Sequence, residues 1–273
     1  MIPDPEKVRF WQARAQGYDR LIRRWEIFSL LSGRLIDLLP TDLQGAVLDI
    51  GAGSGLTSEL LLSRRPHCDA VLIEPSEAMV EIARRRLAAG RARFFVMGLN
   101  EAPARDLHAA AALASVSMQF LDLEPAFAVL AGVIAPGGYL AFNLWWHHWE
   151  ETADREGMSG WLAIAQAACR EARLPPPVAT SPPKVKTRKE MMSASRQHGF
   201  ELLSEHRDED VTPVSIGIDF QAMGADWPVK GMEPADRQIL LQRMDELAQG
   251  RFETVVSTRF LFRSLDSSGR HIP

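Results

Sequence analysis

Between Ala46 and Leu144 short apolar runs alternate with amphipathic stretches, and this alternation restricts the fold more than any other feature of the chain. "AVLDI" (Ala46–Ile50), "AVLIE" (Ala70–Glu74), "RFFVM" (Arg93–Met97) and "YLAFNL" (Tyr139–Leu144) read as strands. "SGLTSELLLSRR", "SEAMVEIARRRLAA" and "EPAFAVLAGVIA" carry apolar residues at helical spacing, with Ser76 as the expected N-cap of the second. "AAALASVS" (Ala110–Ser117) is ambiguous, because Ala favours helix, but its place in the alternation makes it a buried strand. Strands separated by helices build βαβ units and a parallel sheet covered on both faces.

The flanks break this rhythm. Residues 1–45 read as helices, with "EIFSLLSGRLIDLL" (Glu26–Leu39) ending before Pro40. After Leu144 come a Trp-rich run, a helix and a Pro-rich loop, an insertion folding onto the rim of the sheet. A helix then ends at Gly199, a glycine of the C′ type. Phe200–Ile218 reads as a strand region, "EPADRQILLQRMDELAQG" as a helix, and "TVVSTRFLFRSL" as a last strand. The expected fold is α/β: a seven-stranded, mostly parallel, doubly wound sheet with N-terminal helices, an antiparallel edge and a helical cap inserted after the fifth strand. The expected units are an N-terminal helical lid (1–45), a ligand-binding core (46–145), the inserted cap (146–186) and the C-terminal part of the core sheet (187–273).

The chain has 273 residues and a net charge of −4, with Lys and Arg dispersed. That balance offers no basic field for nucleic acid. The densest basic run, "KVKTRK" (Lys184–Lys189), reads as a solvated loop and helix start. The two cysteines, Cys68 and Cys169, form no C-x-x-C pair, which argues against a zinc site or a disulfide framework. The N-terminal segment lacks an apolar h-region, and no run is long enough to span a membrane. The expectation is a cytoplasmic monomer or homodimer acting on a small molecule.

The first strand runs into "DIGAGSGL". A dinucleotide loop wants G-x-G-x-x-G/A, but Leu56 stands at the third position, and the pattern is G-x-G-x-G at Gly51, Gly53 and Gly55. A P-loop would need a following Lys. Asp49 at the strand end suits a cationic ligand and repels a pyrophosphate. Glu74 ends the next strand, 23 residues after Gly51, where a carboxylate can accept both ribose hydroxyls. These residues together imply a nucleoside with a positive charge and no pyrophosphate; S-adenosylmethionine has an adenosine, a sulfonium and an α-ammonium.

"VLDIGAGSG", "IEPSEAMV" and "VIAPGGYLAFN", in that order, resemble the class I S-adenosylmethionine-dependent methyltransferases of the small-molecule branch. The resemblance covers Tyr18–Asn143 well, and "RAQGYDR" is similar to the family's A-x-x-Y-D segment, which puts Tyr18 near the cofactor or substrate. It implies that Gly51, Ala52 and Gly53 line the methionine half, that Asp49 holds the α-ammonium, and that Glu74 binds the ribose. Pro75 and Met79 would flank the adenine, and Pro136–Gly138 would form a structural turn. Ser115 is expected on the cofactor side. The chain departs from the family at "GLNEAP", where Leu99 replaces an acid and Asn100 offers an amide, and at Ala110, where the fourth strand lacks its opening acid. Gln119 and Phe120 stand where relatives carry a pair beside the methyl group.

Methyl transfer from a sulfonium is an in-line displacement with an activated donor, so positioning can supply about 7–11 kcal/mol. A base matters only for an acceptor that holds its proton tightly. His147 and His148, just past the fifth strand, are the candidates for that task. Trp145, Trp146, Trp149 and Trp161 are expected either to wall an apolar or aromatic acceptor pocket or to anchor the insertion, and Trp11 to close the other side with Tyr18. The expected activity is methyl transfer to an O, N or C atom of a small apolar or aromatic metabolite. The alternatives are a cyclase or lyase using the same cofactor, or a non-catalytic binding protein.

Overall fold

The N-terminal helices pack on a sheet whose strands appear in the expected order. The computed structural model describes residues 5–87, 90–145, 149–150, 157–176, 185–223 and 232–265. Two helices come first, α1 (Pro5–Arg24) and α2 (Glu26–Leu38). Strands and helices then alternate: β1 (Gly45–Ile50), α3 (Leu56–Arg64), β2 (Cys68–Glu74), α4 (Glu77–Arg86), β3 (Ala92–Val96), β4 (Ala109–Ala114), α5 (Leu123–Val133) and β5 (Ile134–Trp145). Short 3-10 turns at Leu99–Arg105 and Met118–Phe120 follow β3 and β4. The remainder comprises α6 (Gly157–Ala172), α7 (Arg188–Gln197), β6 (Phe200–Pro213), α8 (Ser215–Ala222), α9 (Pro234–Ala248) and β7 (Phe252–Ser264).

The sheet order is β3-β2-β1-β4-β5-β7-β6. β1 to β5 are parallel, and β7 runs antiparallel to both β5 and β6. The order reverses direction between β1 and β4, so their carboxyl ends open a crevice, where ligands of open α/β sheets bind.

Each face of the sheet has its own core. On one, α5 and α7 cover Phe127, Phe142, Phe200, Phe260 and Phe262, all essentially inaccessible. Phe142 and Phe262 stack at 5.8 Å, and Phe127 meets Phe262 edge-on at 5.4 Å. Burying each such ring contributes about 1.5–3 kcal/mol. On the other face, Leu35, Ile36 and Leu39 of the α2 region pack on Val47, Ala111, Ala141 and Leu261. β4 is nearly all alanine because helices press on it from both sides: small side chains let both layers approach.

Local signals hold where they act locally. Ser76 accepts from the Met79 N–H as the N-cap of α4, and Thr187 with Glu190 forms a capping box on α7. Gly199, at φ 72°, lies just past α7. Both cysteines are free and buried. No described helix is long and apolar enough to cross a membrane.

Three expectations are corrected. First, the strand region of Phe200–Ile218 ends at Pro213, and Ser215–Ala222 is helix α8. Val214 and Ile218 have helical as well as strand spacing, and their burial against α6 and α9 decides for the helix. Second, "PGG" is not a turn before the strand but a bulge within β5. Ile134 pairs with Ala109 while Tyr139 pairs with Ala111, and a side chain at Gly138 would stand 2.6 Å from the Ala110 carbonyl. Third, "KVKTRK" is not wholly solvated: Lys186 is buried and its Nζ donates to the Leu121 carbonyl. Lys186 also bridges to Trp149, and the Glu150 N–H donates to the Lys186 carbonyl at 3.0 Å. The two ends of the insertion are thus clasped together.

Between β6 and β7 the chain leaves the sheet. Ile164, Ala165, Ala168 and Cys169 of α6 share a separate hydrophobic cluster with Val214, Ile218, Leu240, Met244 and Ala248.

Candidate active site

Gly51 follows β1 with φ 64°, and a Cβ there would lie 2.7 Å from the Ser117 Cβ. Both its conformation and its crowding demand glycine. The Gly51 and Ala52 N–H groups donate to the Ile73 carbonyl at 2.9 and 3.2 Å, which folds the loop back over β2. Gly55 caps α3 at φ 87°, where a Cβ would meet the Ala83 Cβ at 3.0 Å. The third glycine of this pattern therefore serves close packing of α3 on α4.

Glu74 sits beneath this loop. Its Oε2 accepts from the Gly53 N–H at 3.1 Å and its Oε1 from the Ser76 N–H at 2.9 Å. Burial, partly offset by those two bonds, pushes its pKa up to about 7. Asp49 is buried at the end of β1 and accepts from Ser58 Oγ at 2.6 Å. Burial raises it to about 6, against the Ser58 bonds. The crevice thus holds two carboxylates and, facing them, the Tyr18 phenol, itself raised to about 12, by burial first and Glu74 second. Such a site gains from a ligand that brings positive charge and hydroxyl donors. Ser54 Oγ, in the same loop, is buried without a hydrogen-bond partner among the described residues. The orphaned hydroxyl, the glycine cradle and the two carboxylate acceptors fit a phosphate-free nucleoside that carries a cation.

α1 closes one side. Gln12 Oε1 accepts from Ser76 Oγ at 2.9 Å and from the Ala78 N–H at 3.1 Å, fastening α1 to the start of α4. Asp19 pairs with Arg86, whose side chain is only 2% exposed. Tyr18 Cε1 lies 3.4 Å from where a Gly53 Cβ would be. Met79 clusters with Ala15, Ile82, Trp11 and Tyr18. A shallow cavity of about 390 Å³ lies alongside, lined by residues including Val8, Arg9, Pro75, Met97, Gly98 and Glu101.

Beyond β4 and β5 stands a group of aromatic rings. Trp11 meets Tyr18 at 5.4 Å, Phe120 at 6.3 Å and Phe220 at 6.3 Å. Tyr18 meets Phe28 at 6.5 Å, and Phe28 meets Trp145 at 6.0 Å. Their edge-on geometry is the favoured one for rings. Gln119 is buried and accepts from the Trp145 N–H at 3.4 Å. Val116, at φ 52°, lies in the same cluster.

The structure therefore gathers Tyr18, Asp49, Gly51, Ala52, Gly53, Glu74, Pro75 and Met79 at one sheet edge, with Trp11, Gln119 and Trp145 beside them. Ser115 joins this edge through a 3.1 Å contact with Ser32, which also touches Thr57 at 3.0 Å. Asn100 is half-buried, whereas Leu99 turns into the main core and leaves no side chain for polar contact. Trp149 is not a pocket wall: it is fully buried and packs on Phe260 at 5.1 Å. Trp146, His147, His148 and the side chain of Trp161 lie outside the described residues. Sequence reading missed Gln12, Ser54, Ser117, Phe28 and Phe220. Ser54 lies inside the glycine pattern but at a position that pattern leaves open, the others have no motif, and each matters through what the fold places next to it.

Comparison with known proteins agrees with this geometry. Residues 47–138 match the family model described as "Methyltransferase domain". A malonyl-[acyl-carrier protein] O-methyltransferase of Marinomonas sp. (strain MWYL1) is 27% identical over 153 residues, 52% of this chain and 55% of that protein. A trans-aconitate 2-methyltransferase of Variovorax paradoxus (strain S110) is 32% identical over 111 residues, 40% and 42% of the two chains. The chain thus spans about half the length of the curated relatives it matches. Among solved structures, the YcgJ protein of Bacillus subtilis superposes with a TM-score of 0.55 at 15% identity, covering 87% of this chain and 99% of that one. A cyclopropane synthase of Mycobacterium tuberculosis gives 0.52 at 14% identity, covering 87% and 82%. These two share the fold. Residues 47–138, which hold the glycine loop and the parallel body of the sheet, thus match a methyltransferase domain in sequence, and the chain shares the fold of the solved neighbours.

Proposed function

We propose that the chain transfers the methyl group of S-adenosylmethionine to a small acceptor with an apolar or aromatic body. One observation carries this reading. The Glu74 carboxylate under the glycine loop and the aromatic group around Trp11 and Trp145 meet across Tyr18, so one crevice has a polar nucleoside end and an apolar end.

When bound, the cofactor supplies an activated methyl on a sulfonium. Glu74 would accept the ribose hydroxyls through the lone pairs that Gly53 and Ser76 leave free. Asp49 would hold the α-ammonium, directly or through water, and Gly51 to Gly53 would pass along the methionine half with no side chain in the way. Pro75 and Met79 would flank the adenine, with Asn100 supplying an amide. Trp11, Phe120 and Trp145 would exclude water and orient the acceptor, which is the main catalytic need of a displacement with an activated donor. Proton removal, where the acceptor requires it, would fall to His147 or His148.

Calorimetry with S-adenosylhomocysteine tests the cofactor assignment. Binding by the wild type and at least tenfold weaker binding by Glu74→Ala are expected. An absence of binding by the wild type overturns the reading. The acceptor reaction is then read by mass: a product heavier by one methylene unit marks methylation rather than cyclisation or elimination.

A further inference from the structure

The antiparallel arm of β6 and β7 extends past the end of β5, and its residues on the α2 side are unusually polar. Register fixes which side chains share that side. Trp145 pairs with Ser257, and Ser257 with Asp208; Val255 pairs with Asp210, and Glu253 with Thr212. Side chains alternate along strands, so Trp145, Ser257, Val255 and Glu253 face the same way as Asp208, Asp210 and Thr212. Contacts with α2 identify the face. Trp145 packs on Phe28, and Arg34 pairs with Asp210 in a two-pronged bridge at 2.6 and 2.9 Å.

Charges on this face do not balance. Asp210 has Arg34, and Asp208 has Arg259 at 2.9 Å and Arg34 at 3.9 Å. Glu253, one step further along the arm, has no such cation among the described residues, although burial is strong enough to push its pKa up to about 7. Three neutral polar groups on the same face are also unsatisfied. Among the described residues Ser257 Oγ, Thr212 Oγ1 and Trp145 Nε1 are buried with no hydrogen-bond partner, and Ser257 and Thr212 are only 2% and 5% exposed. Buried hydroxyls normally find partners, and a half-buried carboxylate normally finds a cation. Four unmet groups on one strip, continuous through Trp145 with the aromatic crevice, are the pattern of a ligand subsite.

We propose that this strip recognises the acceptor, and that Glu253 is the counter-ion for a cationic amine on an aromatic or alkyl body. Thr212, directly opposite Glu253, is the hydroxyl partner at the amine end, and Ser257 with the Trp145 indole N–H, about 14 Å back along the strand, meets a polar atom at the other end of a longer acceptor. Glu253 is a specificity-determining residue here; the transferred methyl need not go to the amine. This assignment rests on the methyltransferase reading of the neighbouring crevice.

The test uses the full chain saturated with S-adenosylhomocysteine and three probes with one ring and different tails. These are tyramine (ammonium), 4-hydroxyphenethyl alcohol (neutral) and 4-hydroxyphenylacetate (anion), followed by calorimetry or ligand-observed NMR. Tyramine should bind about tenfold more tightly than the alcohol, the value of one charge-assisted hydrogen bond, and the acid should bind weakest. Glu253→Gln should abolish the preference for tyramine over the alcohol and leave S-adenosylhomocysteine affinity unchanged. Thr212→Val, which removes the hydroxyl opposite Glu253, should weaken tyramine and the alcohol alike. Equal binding of tyramine and the alcohol by the wild type, or an undiminished preference in Glu253→Gln, overturns the proposal. S-adenosylhomocysteine binding is measured on the same samples, so its failure identifies the cofactor reading as the one at fault. The same probes titrated without it still report on the strip.

Discussion

Asn143 Oδ1 accepts a 2.7 Å hydrogen bond from the backbone N–H of Val116, and so holds a β-branched residue at φ 52°. Valine in that region is a genuine outlier, with strain of about 1–3 kcal/mol. Asn143 is buried on β5, and Val116 follows β4, so the bond ties together the two strand ends beside the crevice. Strained backbone persists only where surroundings over-determine it.

Asn143→Ala should therefore destabilise the chain by about 1–3 kcal/mol, because it leaves a part-buried N–H without its acceptor. Asn143→Asp keeps an acceptor oxygen and should lose less. Urea unfolding of the three proteins checks the order. Equal stability of wild type and Asn143→Ala would show that the bond does not hold the turn.

Gly51→Ala should fail for two separable reasons, a positive φ and the 2.7 Å approach to Ser117. Together they predict a loss of about 1–3 kcal/mol and of S-adenosylhomocysteine binding. Adding Ser117→Gly removes the crowding but not the backbone conflict, so the double variant should recover part of the thermal midpoint. No recovery would mean that crowding contributes little.

Burial raises Glu74 to about 7 and Asp49 to about 6, both above the ordinary carboxylate range. A group with a raised folded pKa binds its proton more tightly in the folded chain. Its stabilising contribution is complete below the unfolded pKa, about 4, and is lost as pH rises through 6 to 7. The ligand-free thermal midpoint should thus fall between pH 5 and pH 8, and Glu74→Gln should flatten the fall. Ribose hydroxyls would favour the ionised carboxylate, so S-adenosylhomocysteine affinity should rise over the same interval, with proton release. Calorimetry in two buffers of different ionisation enthalpy measures that release; proton uptake would contradict the ribose assignment.

Trp149 packs on Phe260 with no exposed surface, at the clasp it makes with Lys186. Trp149→Ala should cost about 3–5 kcal/mol, as for other large core truncations. Trp149→Phe should cost less and leave the acceptor KM unchanged. A large change in KM with stability intact would return Trp149 to the pocket wall.

The alternation of β and α segments and the positions of Asp49, Gly51, Gly53 and Glu74 were legible from the chain, because each depends on neighbours close in sequence. Strand ends, caps and positive-φ glycines are local events, and Ser76, Thr187 and Gly199 behave as their types require. The sheet's parallel body followed from the same logic. The roles of the tryptophans did not: Trp145 and Trp149 are close in sequence, yet one joins the aromatic crevice and the other the core.

Local pattern determined the sheet, its crevice and the glycines and carboxylates that line it, since periodicity and backbone conformation are written residue by residue. Tertiary structure alone decided that α8 is a helix and Lys186 is buried, that Gly55 serves helix packing, and that Glu253 has no cation among the described residues while two aspartates on its face each have one. Those outcomes depend on desolvation and pairing among residues far apart in sequence, quantities that no local window contains.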